Sequence, residues 1–264
     1  MPAVRLYCTA FALLFTFCGP LAHAQAQAPK EPASFEPASG QAGKDVVWVP
    51  TPQALVNKML NMARVTPRDY LIDLGSGDGR TVITAAKRGV RALGIEYNPD
   101  MVELSKRNAE KEGVTARASF VKADLFESDF SKATVITMFL LPAINLKLRP
   151  KLLALKPGTR IVSNSFDMGD WQADHSVTLT SDDGCDASWC TAMLWIVPAK
   201  VAGTYKSPVG DLQLKQTFQA LSGSLTSDGK TFALEGKVIG NNVRFFAGGR
   251  EYRGTMNGKM LELN

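Results

Sequence analysis

The fold of this chain is decided by the stretch Leu71-Ile72-Asp73-Leu74-Gly75-Ser76-Gly77-Asp78-Gly79-Arg80. A short apolar run ends in an acidic residue, three glycines follow at alternate positions, and an apolar helical pattern begins directly after them. This order predicts a strand, a tight turn and the start of a helix. Glycines let a backbone approach a ligand closely, and a helix start presents unpaired N–H groups and a positive dipole end. The sequence therefore predicts a ligand site at the end of this strand.

The spacing of the glycines narrows the range of ligands that the loop could bind. It differs from the dinucleotide fingerprint G-x-G-x-x-G, and no Gly-Lys-Ser/Thr of a P-loop follows it. It resembles the first motif of the class I S-adenosylmethionine-dependent methyltransferases. That resemblance implies that the loop wraps the amino-acid end of S-adenosylmethionine, with Asp73 close to its amino group. The implied contacts come from Asp73, Gly75, Ser76, Gly77 and Gly79. The alternative interpretation is an ordinary glycine-rich turn of a Rossmann-like protein.

Two further acidic residues close the next two predicted strands. Glu96 follows residues 90–95, about 20 residues past the glycines, where a carboxylate can accept hydrogen bonds from both ribose hydroxyls. Asp124 follows residues 118–123, and the resemblance implies a contact with the adenine amino group. The structural alternatives are an ordinary strand-end carboxylate for Glu96 and a helix N-cap for Asp124.

The sequence of the first 46 residues predicts a signal for export followed by a linker. One charge (Arg5), an apolar run at residues 10–17 and the sequence Ala22-His23-Ala24 predict a secretory signal peptide at residues 1–24. A lipoprotein cysteine at Cys18 and an uncleaved anchor are the alternatives. Residues 25–46 are rich in Ala, Pro, Gln and Ser, which predicts a flexible linker. We therefore expect a chain in the periplasm or cell envelope, without a membrane-spanning segment after removal of the signal.

Cysteine, histidine and charge exclude several function classes. Beyond the signal, Cys185 and Cys190 remain, and in an exported protein such a pair predicts a local disulfide. A metal site, which has no further cysteine, or two free thiols are the alternatives. His175 is the one histidine left, so we expect no zinc site and no catalytic triad. The net charge of +5 comes without a basic block, so we expect no nucleic-acid partner.

The remaining chain divides into two parts. Residues 47–199 alternate strand and helix patterns and close with a hairpin at residues 177–180 and 192–197. This predicts an α/β, Rossmann-like, seven-stranded methyltransferase sheet. At its start, Thr51 is predicted as the N-cap of a first helix, with Pro52 at its first position. Residues 200–264 show short strands divided by Asp-Gly and Asn-Gly turns, which predicts a small all-β meander. Its aromatic residues are predicted core: Phe232, Phe245, Phe246 and Tyr252.

Several segments together resemble one family, the lysine methyltransferases whose mitochondrial members modify the adenine nucleotide translocase and the ATP synthase c subunit. The segments are 49–52 (Val-Pro-Thr-Pro), 73–80, 94–99 (Gly-Ile-Glu-Tyr-Asn-Pro), 140–142 (Leu-Leu-Pro), 145–150 (Asn-Leu-Lys-Leu-Arg-Pro), 156–160 (Lys-Pro-Gly-Thr-Arg) and 167–171 (Asp-Met-Gly-Asp-Trp). The resemblance implies S-adenosylmethionine as methyl donor and a lysine of a protein as acceptor. It also implies that residues 49–52, with Thr51, close over the donor.

The resemblance further implies an acceptor site after the fourth strand. Candidates for the channel walls are Trp48, Phe139, Leu140, Pro142 and Trp171. Asn145 is a candidate to orient the amine, and capping of the following helix is its alternative role. The signal peptide and the β-meander depart from the mitochondrial relatives, and S-adenosylmethionine is made in the cytoplasm. A non-catalytic envelope binding module with a methyltransferase fold is therefore the main alternative, and a polyamine synthase is a weaker one.

Overall fold

A computed structural model describes residues 1–4 and 35–263. The predicted signal peptide lies outside the described residues apart from its first four, as does the first part of the predicted linker. Residues from Phe35 onwards form one unit that contains two β-sheets. Within the described part of the chain, no helix combines the length and apolar character needed to span a membrane.

The first sheet has seven strands and confirms the predicted fold. Its strands are β1 (Tyr70–Leu74), β2 (Arg91–Glu96), β3 (Ala118–Lys122), β4 (Val135–Met138), β5 (Arg160–Asn164), β6 (His175–Thr178) and β7 (Thr191–Ile196). They lie in the order β3-β2-β1-β4-β5-β7-β6. Strand β7 runs antiparallel to both neighbours, and the other pairings are parallel. The carboxyl ends of β1 to β5 therefore meet at one edge of the sheet.

Helices cover both faces of this sheet. They are α1 (Gln53–Met62), α2 (Arg80–Lys87), α3 (Pro99–Lys111) and α4 (Pro142–Leu153), with a short 3₁₀ turn at Ser181–Asp183. Neighbouring strand residues point to opposite faces, so Val135 packs with α1, α2 and α3 while Ile136 packs with α4. All four residues of β4 are buried, as a central parallel strand requires. The predicted cap of α1 was wrong, since Pro52 is the N-cap and makes no side-chain cap bond.

The second sheet is the predicted antiparallel meander. Its strands are β8 (Gly203–Ser207), β9 (Gly210–Thr217), β10 (Ala220–Ser227), β11 (Lys230–Ile239), β12 (Asn242–Ala247), β13 (Arg250–Asn257) and β14 (Met260–Leu263), paired in chain order. Of the predicted core aromatics, Phe245 is fully buried, and Phe232 and Tyr252 are partly buried against the core. The prediction for Phe246 was wrong, because burial alternates along β12 and leaves this ring 50% exposed.

The two sheets pack against each other. Phe218 stacks on Trp171 with ring centroids 6.1 Å apart, and Lys237 pairs with Asp174 at 2.9 Å. The Ala199 N–H donates to the Gly240 carbonyl at 2.7 Å. Trp171 is fully buried in this contact, so the structure corrects its predicted role: it belongs to the core and does not line an acceptor channel.

Candidate active site

A cleft runs across the edge where the carboxyl ends of β1 to β5 meet. Its volume of about 220 Å³ is far larger than the roughly 10–15 Å³ that one water needs. The residues that line it follow the strand order of the sheet. Carboxylates lie at or just beyond the carboxyl ends of β3, β2 and β1, while apolar and aromatic side chains follow β4 and β5 and precede β7. The cleft therefore has an acidic half and an aromatic half.

The glycine loop forms the floor of the acidic half. Gly75, Gly77 and Gly79 have φ angles of 75°, 54° and 83°, which other residues adopt only with strain. The N–H groups of Gly75 and Ser76 both donate to the Ile95 carbonyl, at 2.9 and 3.1 Å. The loop is thus fixed against β2.

Ser76 and Gly79 differ in what they face. The Ser76 hydroxyl oxygen is buried in the cleft wall and has no hydrogen-bond partner among the described residues. Gly79 does not line the cleft, contrary to the predicted cofactor contact. A Cβ there would lie 2.8 Å from the Phe120 ring, so this glycine lets α2 pack closely against α3 and β3.

Asp73 lies buried at the centre of the cleft. Burial raises the pKa of its carboxyl from the ordinary 3.8 to about 7, and the nearby carboxylates of Asp78 and Glu96 add to the shift. Thr137 opposes it by donating a hydrogen bond of 2.6 Å to the Asp73 carboxylate. An uncompensated buried carboxylate favours a cationic ligand, because such a ligand restores the charged form.

Glu96 closes β2 and lines the same half of the cleft. One of its carboxylate oxygens accepts the Gly77 N–H at 2.9 Å, and the other accepts the Asn98 N–H at 2.9 Å. Because each carboxylate oxygen can accept more than one hydrogen bond, both remain able to bind a diol. The loop and the second carboxylate are therefore held together by a direct bond.

A strap formed by residues 41–51 crosses the cleft. The Ala42–Val47 bridge and the bond from the Trp48 N–H to the Gln41 carbonyl (2.9 Å) order its first half. Lys44 forms an ion pair with Asp124 and lies 4.8 Å from the centre of the Tyr97 ring. This contact lowers the pKa of the Asp124 carboxyl. The prediction of a flexible linker up to residue 46 is corrected here, since these bonds order residues 41–46.

The second half of the strap approaches the glycine loop. A Cβ on Gly77 would lie 2.5 Å from the Trp48 indole nitrogen, so Trp48 covers the loop. Thr51 lines the cleft as predicted for the closing segment, and its hydroxyl accepts a bond from Asn164 at 3.3 Å. Arg80 donates to the Thr51 carbonyl at 2.9 Å and pairs with Asp78 at 2.6 Å. Sequence reasoning missed Arg80 because its partner in the strap is distant along the chain.

The aromatic half holds Phe139 and Leu140, both predicted, together with two rings that the sequence analysis missed. These are Phe166, which follows β5, and Trp189, which lies in the loop before β7. Pro142 is exposed and outside the cleft lining, so its predicted wall contact is not made; the neighbours Leu141 and Ile144 line the cleft instead. An available signal was the position of Phe166 at the end of a buried strand.

Asn145 has a different role from the predicted one. Its side chain is fully buried and does not line the cleft, so it does not contact an acceptor directly. The Asn145 amide instead donates to the carbonyls of Phe166 and Asp167, at 3.2 and 3.0 Å. It therefore fixes the turn that carries the Phe166 ring.

The cysteine pair forms the predicted disulfide, Cys185–Cys190. It closes the loop that carries Trp189. In the described part of the chain, no three His, Cys, Asp or Glu side chains group closely enough to hold a metal ion.

The residues of the acidic half fit S-adenosylmethionine. The amino group of this ligand is a cation that suits the buried Asp73, and the unpartnered Ser76 hydroxyl offers a further polar contact. Glu96 is available for the ribose hydroxyls, and Leu125 beside Asp124 offers an apolar contact for the adenine.

Comparisons with known proteins agree with this fit. A sequence profile of the ANTKMT methyltransferase domain matches residues 73–175. A protein-lysine N-methyltransferase of Saccharolobus islandicus is 50% identical over 129 residues, which are 48% of this chain and 80% of the relative. The human lysine N-methyltransferase of the ATP synthase c-subunit is 36% identical over 143 residues, 54% of this chain and 59% of the relative. This chain therefore spans about three fifths of the human enzyme's length.

Among solved structures, one similar chain is an RNA methyltransferase from Salinibacter ruber in complex with S-adenosyl-L-homocysteine. It is 46% identical with a TM-score of 0.54, and the match covers 58% of this chain and 96% of that chain. The share of this chain that it leaves unmatched is large enough to include the whole second sheet.

Proposed function

This chain belongs to the ANTKMT family of S-adenosylmethionine-dependent methyltransferases, and from that premise we propose that its acceptor is the side-chain amine of a lysine in a protein. The observation that carries the proposal is the division of the cleft. The acidic half suits the donor, and the other half of the same cleft offers an apolar, aromatic lining for an acceptor. Two of the relatives, from Saccharolobus islandicus and human, are named lysine methyltransferases, which supports the same acceptor.

The division of labour follows from the donor's chemistry. S-adenosylmethionine supplies a methyl group on a sulfonium, a leaving group that needs no further activation. Asp73, Ser76 and Glu96 bind and orient the donor, and the strap with Trp48 excludes water from it. Alignment of the amine with the methyl group then accounts for the main part of the catalysis.

A lysine must lose a proton before it attacks, because its ordinary pKa is about 10.4. The cleft lining that follows β4 and β5 or precedes β7 has no titratable side chain; it consists of Phe139, Leu140, Leu141, Ile144, Phe166 and Trp189. Desolvation among these groups lowers the pKa of an entering ammonium. We propose that the proton leaves to water as the amine enters, without a protein base.

RNA is the second candidate acceptor, favoured by the description of the Salinibacter ruber structure. A protein that binds RNA needs a positively charged groove for the phosphate backbone. The cleft lining contains five carboxylates but only Lys44 and Arg80 as cations, and both cations pair with carboxylates. This charge balance supports an amine over an RNA.

The first experiment tests the donor site. Isothermal titration of the purified chain with S-adenosylmethionine should show binding, and Asp73→Ala and Glu96→Ala should each weaken it more than about tenfold, as loss of a charged hydrogen-bond partner predicts. Asp100→Ala is the matched control, because this exposed carboxylate lies outside the cleft. Equal affinity in all three variants would mean that the donor binds elsewhere.

The second experiment tests the acceptor. Transfer of a labelled methyl group from S-adenosylmethionine to an envelope extract should give label that proteinase releases and ribonuclease does not, and hydrolysis should yield methyl-lysine. Label released by ribonuclease would replace the lysine proposal with the RNA candidate. Donor binding without transfer to either class would favour the binding-module alternative.

We also propose that the chain acts in the cell envelope. The signal-like residues 1–24 and the disulfide, a bond typical of oxidising compartments, both support this. A fusion of alkaline phosphatase after residue 46 should be active, and the mature chain should begin at Gln25. An inactive fusion and an intact N-terminus would place the enzyme in the cytoplasm.

A further inference from the structure

We propose that Phe139, Phe166 and Trp189 form an aromatic subsite for the alkylammonium group of the acceptor, and that the Cys185–Cys190 disulfide holds Trp189 in it. The inference rests on the proposed amine-methylating function. It adds a specificity-determining residue, Trp189, and gives the disulfide a role in acceptor binding.

The three rings meet although they come from three separate elements. Phe166 lies 5.9 Å from Phe139 and 5.1 Å from Trp189 between ring centroids, and the Phe139–Trp189 distance is 6.4 Å. The plane of Trp189 is tilted by 56° and 45° to those of the two phenylalanines. The three rings therefore pack as one cluster, and all three line the cleft.

Trp189 differs from the tryptophans of the core. Trp171 and Trp195 are fully buried, whereas Trp189 is 39% exposed at the mouth of the cleft. Its ring packs against Phe166 and Phe139 and still leaves part of its surface accessible from solvent. The face of an indole attracts a cation more strongly than those of the other aromatic side chains.

The backbone around the rings is fixed from several directions. The disulfide ties Cys190, the neighbour of Trp189, to the far end of its loop, and the Leu179 N–H donates to the Cys190 carbonyl at 2.8 Å. Phe166 follows Ser165, whose φ of 58° is unusual for a residue other than glycine. Strain of this kind persists where the surrounding structure holds it, and here it turns Phe166 towards the cleft.

The spacing of the rings suits a cation better than a nucleobase. Stacked bases are about 3.4 Å apart, so a base held between two rings would separate them by about 6.8 Å. Phe139 and Phe166 are nearly parallel, at 20°, with centroids only 5.9 Å apart. A base does not fit between them, whereas a methylated or unmethylated ammonium needs only a position within about 6 Å of a ring centroid and no gap between two rings.

The test compares two probes of equal shape, choline and its neutral isostere 3,3-dimethylbutan-1-ol, on the chain saturated with S-adenosylhomocysteine. Binding is followed by NMR through the indole N–H signals. Choline should shift the Trp189 signal and bind about 3- to 30-fold more tightly than the neutral isostere, the range expected for a cation–π contact. Equal binding of the two probes, or no binding of choline, would overturn the proposal.

Variants separate the subsite from the fold and from the donor site. Trp189→Ala should weaken choline by a similar factor, Trp189→Phe should retain part of the affinity, and reduction of the disulfide should act like Trp189→Ala. Phe246→Ala, a half-exposed ring on the second sheet, is the matched control and should change nothing. S-adenosylhomocysteine affinity should stay within twofold throughout. Normal donor binding with unchanged choline affinity in Trp189→Ala would refute the subsite alone, whereas loss of donor binding in the wild type would refute the proposed function.

Discussion

At the scale of single residues, the raised pKa of Asp73 favours the binding of a cationic ligand. The folded chain buries this carboxyl beside two others, and its pKa rises to about 7 as a result. A cationic amino group that pairs with Asp73 favours the charged form, so binding near neutral pH is coupled to release of a proton.

The first prediction is a pH dependence of donor affinity. Between pH 5 and 7, the dissociation constant of S-adenosylmethionine should fall by up to about tenfold for each unit of rising pH, because only the deprotonated Asp73 pairs with the ligand. It should level off above pH 7. Titration calorimetry in buffers of different ionisation enthalpy measures both the affinity and the released proton. A flat profile would show that Asp73 is already ionised in the free protein.

The second prediction is that Asp73→Asn separates stability from binding. The pKa of Asp73 is higher in the folded chain than its ordinary 3.8, so the folded state retains a proton that the unfolded state loses. Stability from this group is fully present below about pH 4 and is lost as pH rises to about 7. Asparagine has no charge to bury, so the ligand-free variant should be more stable at pH 8, by on the order of 1 to 4 kcal/mol.

Urea unfolding at pH 8 and at pH 5 measures this gain, which should be smaller at pH 5. The same variant should bind S-adenosylmethionine more than tenfold more weakly. A variant less stable than the wild type at pH 8 would contradict the argument, because it would mean that the Thr137 bond outweighs burial.

The carboxylates of the acidic half of the cleft could be predicted from the sequence. Asp73, Glu96 and Asp124 each lie within two residues of the carboxyl end of a strand, and a local apolar pattern marks that end. Asn145 and Trp171 were not within reach, because their roles depend on partners more than twenty residues away: the Phe166 and Asp167 carbonyls for Asn145, and Phe218 for Trp171. Nothing in the local sequence separates a buried asparagine that fixes a turn from one that faces a substrate.

At the scale of elements, the glycine loop and the strap depend on each other. The third prediction is that Gly77→Ala weakens donor binding more than it weakens the fold. Its Cβ would lie 2.5 Å from the Trp48 indole nitrogen, so the strap must move away from the loop. Gly113→Ala is the matched control, with a φ of 67° against 54° but open space around its Cβ.

Both variants should lose about 1 kcal/mol of stability from the left-handed backbone, as urea unfolding would show. Only Gly77→Ala should reduce S-adenosylmethionine affinity, by tenfold or more, with faster dissociation. Similar affinities for the two variants would mean that Trp48 does not close over the donor.

The fourth prediction concerns the turn after β5. Asn145→Ala removes both amide bonds to the Phe166 and Asp167 carbonyls and should cost about 1–3 kcal/mol. If the turn positions the acceptor wall, the KM for the acceptor should rise while S-adenosylmethionine affinity stays unchanged. Equal losses in both would indicate general destabilisation instead.

The strap shows where prediction from composition ends. Residues 25–46 have the composition of a linker, and yet the chain orders part of it through Lys44 and Asp124, 80 positions apart. The strands and helices were predictable because their apolar periodicity is local. A polar segment that is held by a few partners distant in sequence has no such periodic pattern.

At the scale of the whole molecule, the second sheet adds to the first without entering the cleft. It contacts the first sheet through Phe218, Gln219, Lys237 and Gly240, while the cleft lies at the carboxyl ends of β1 to β5. The turn chemistry of its hairpins made its topology predictable. The way it packs on the first sheet was not predictable, because nothing in the sequence around Phe218 indicates that this aromatic residue of a turn stacks on Trp171.

The fifth prediction is that Phe218 couples the two sheets. Its ring stacks on the fully buried Trp171 and lies 5.2 Å beneath the Arg149 guanidinium, so Phe218→Ala removes both contacts and exposes Trp171 to water. We expect a loss of about 2 kcal/mol, less than the roughly 3–5 kcal/mol of a fully buried phenylalanine.

Phe246→Ala, on the outer face of the same sheet, is the control and should cost less than about 0.5 kcal/mol. Urea unfolding followed by the fluorescence of the four tryptophans, which include Trp171 and Trp195, measures the difference, while S-adenosylmethionine affinity should stay unchanged because the cleft is untouched. Equal costs for the two variants would mean that Phe218 does not couple the sheets and that their other contacts, such as the Lys237–Asp174 ion pair, hold them together.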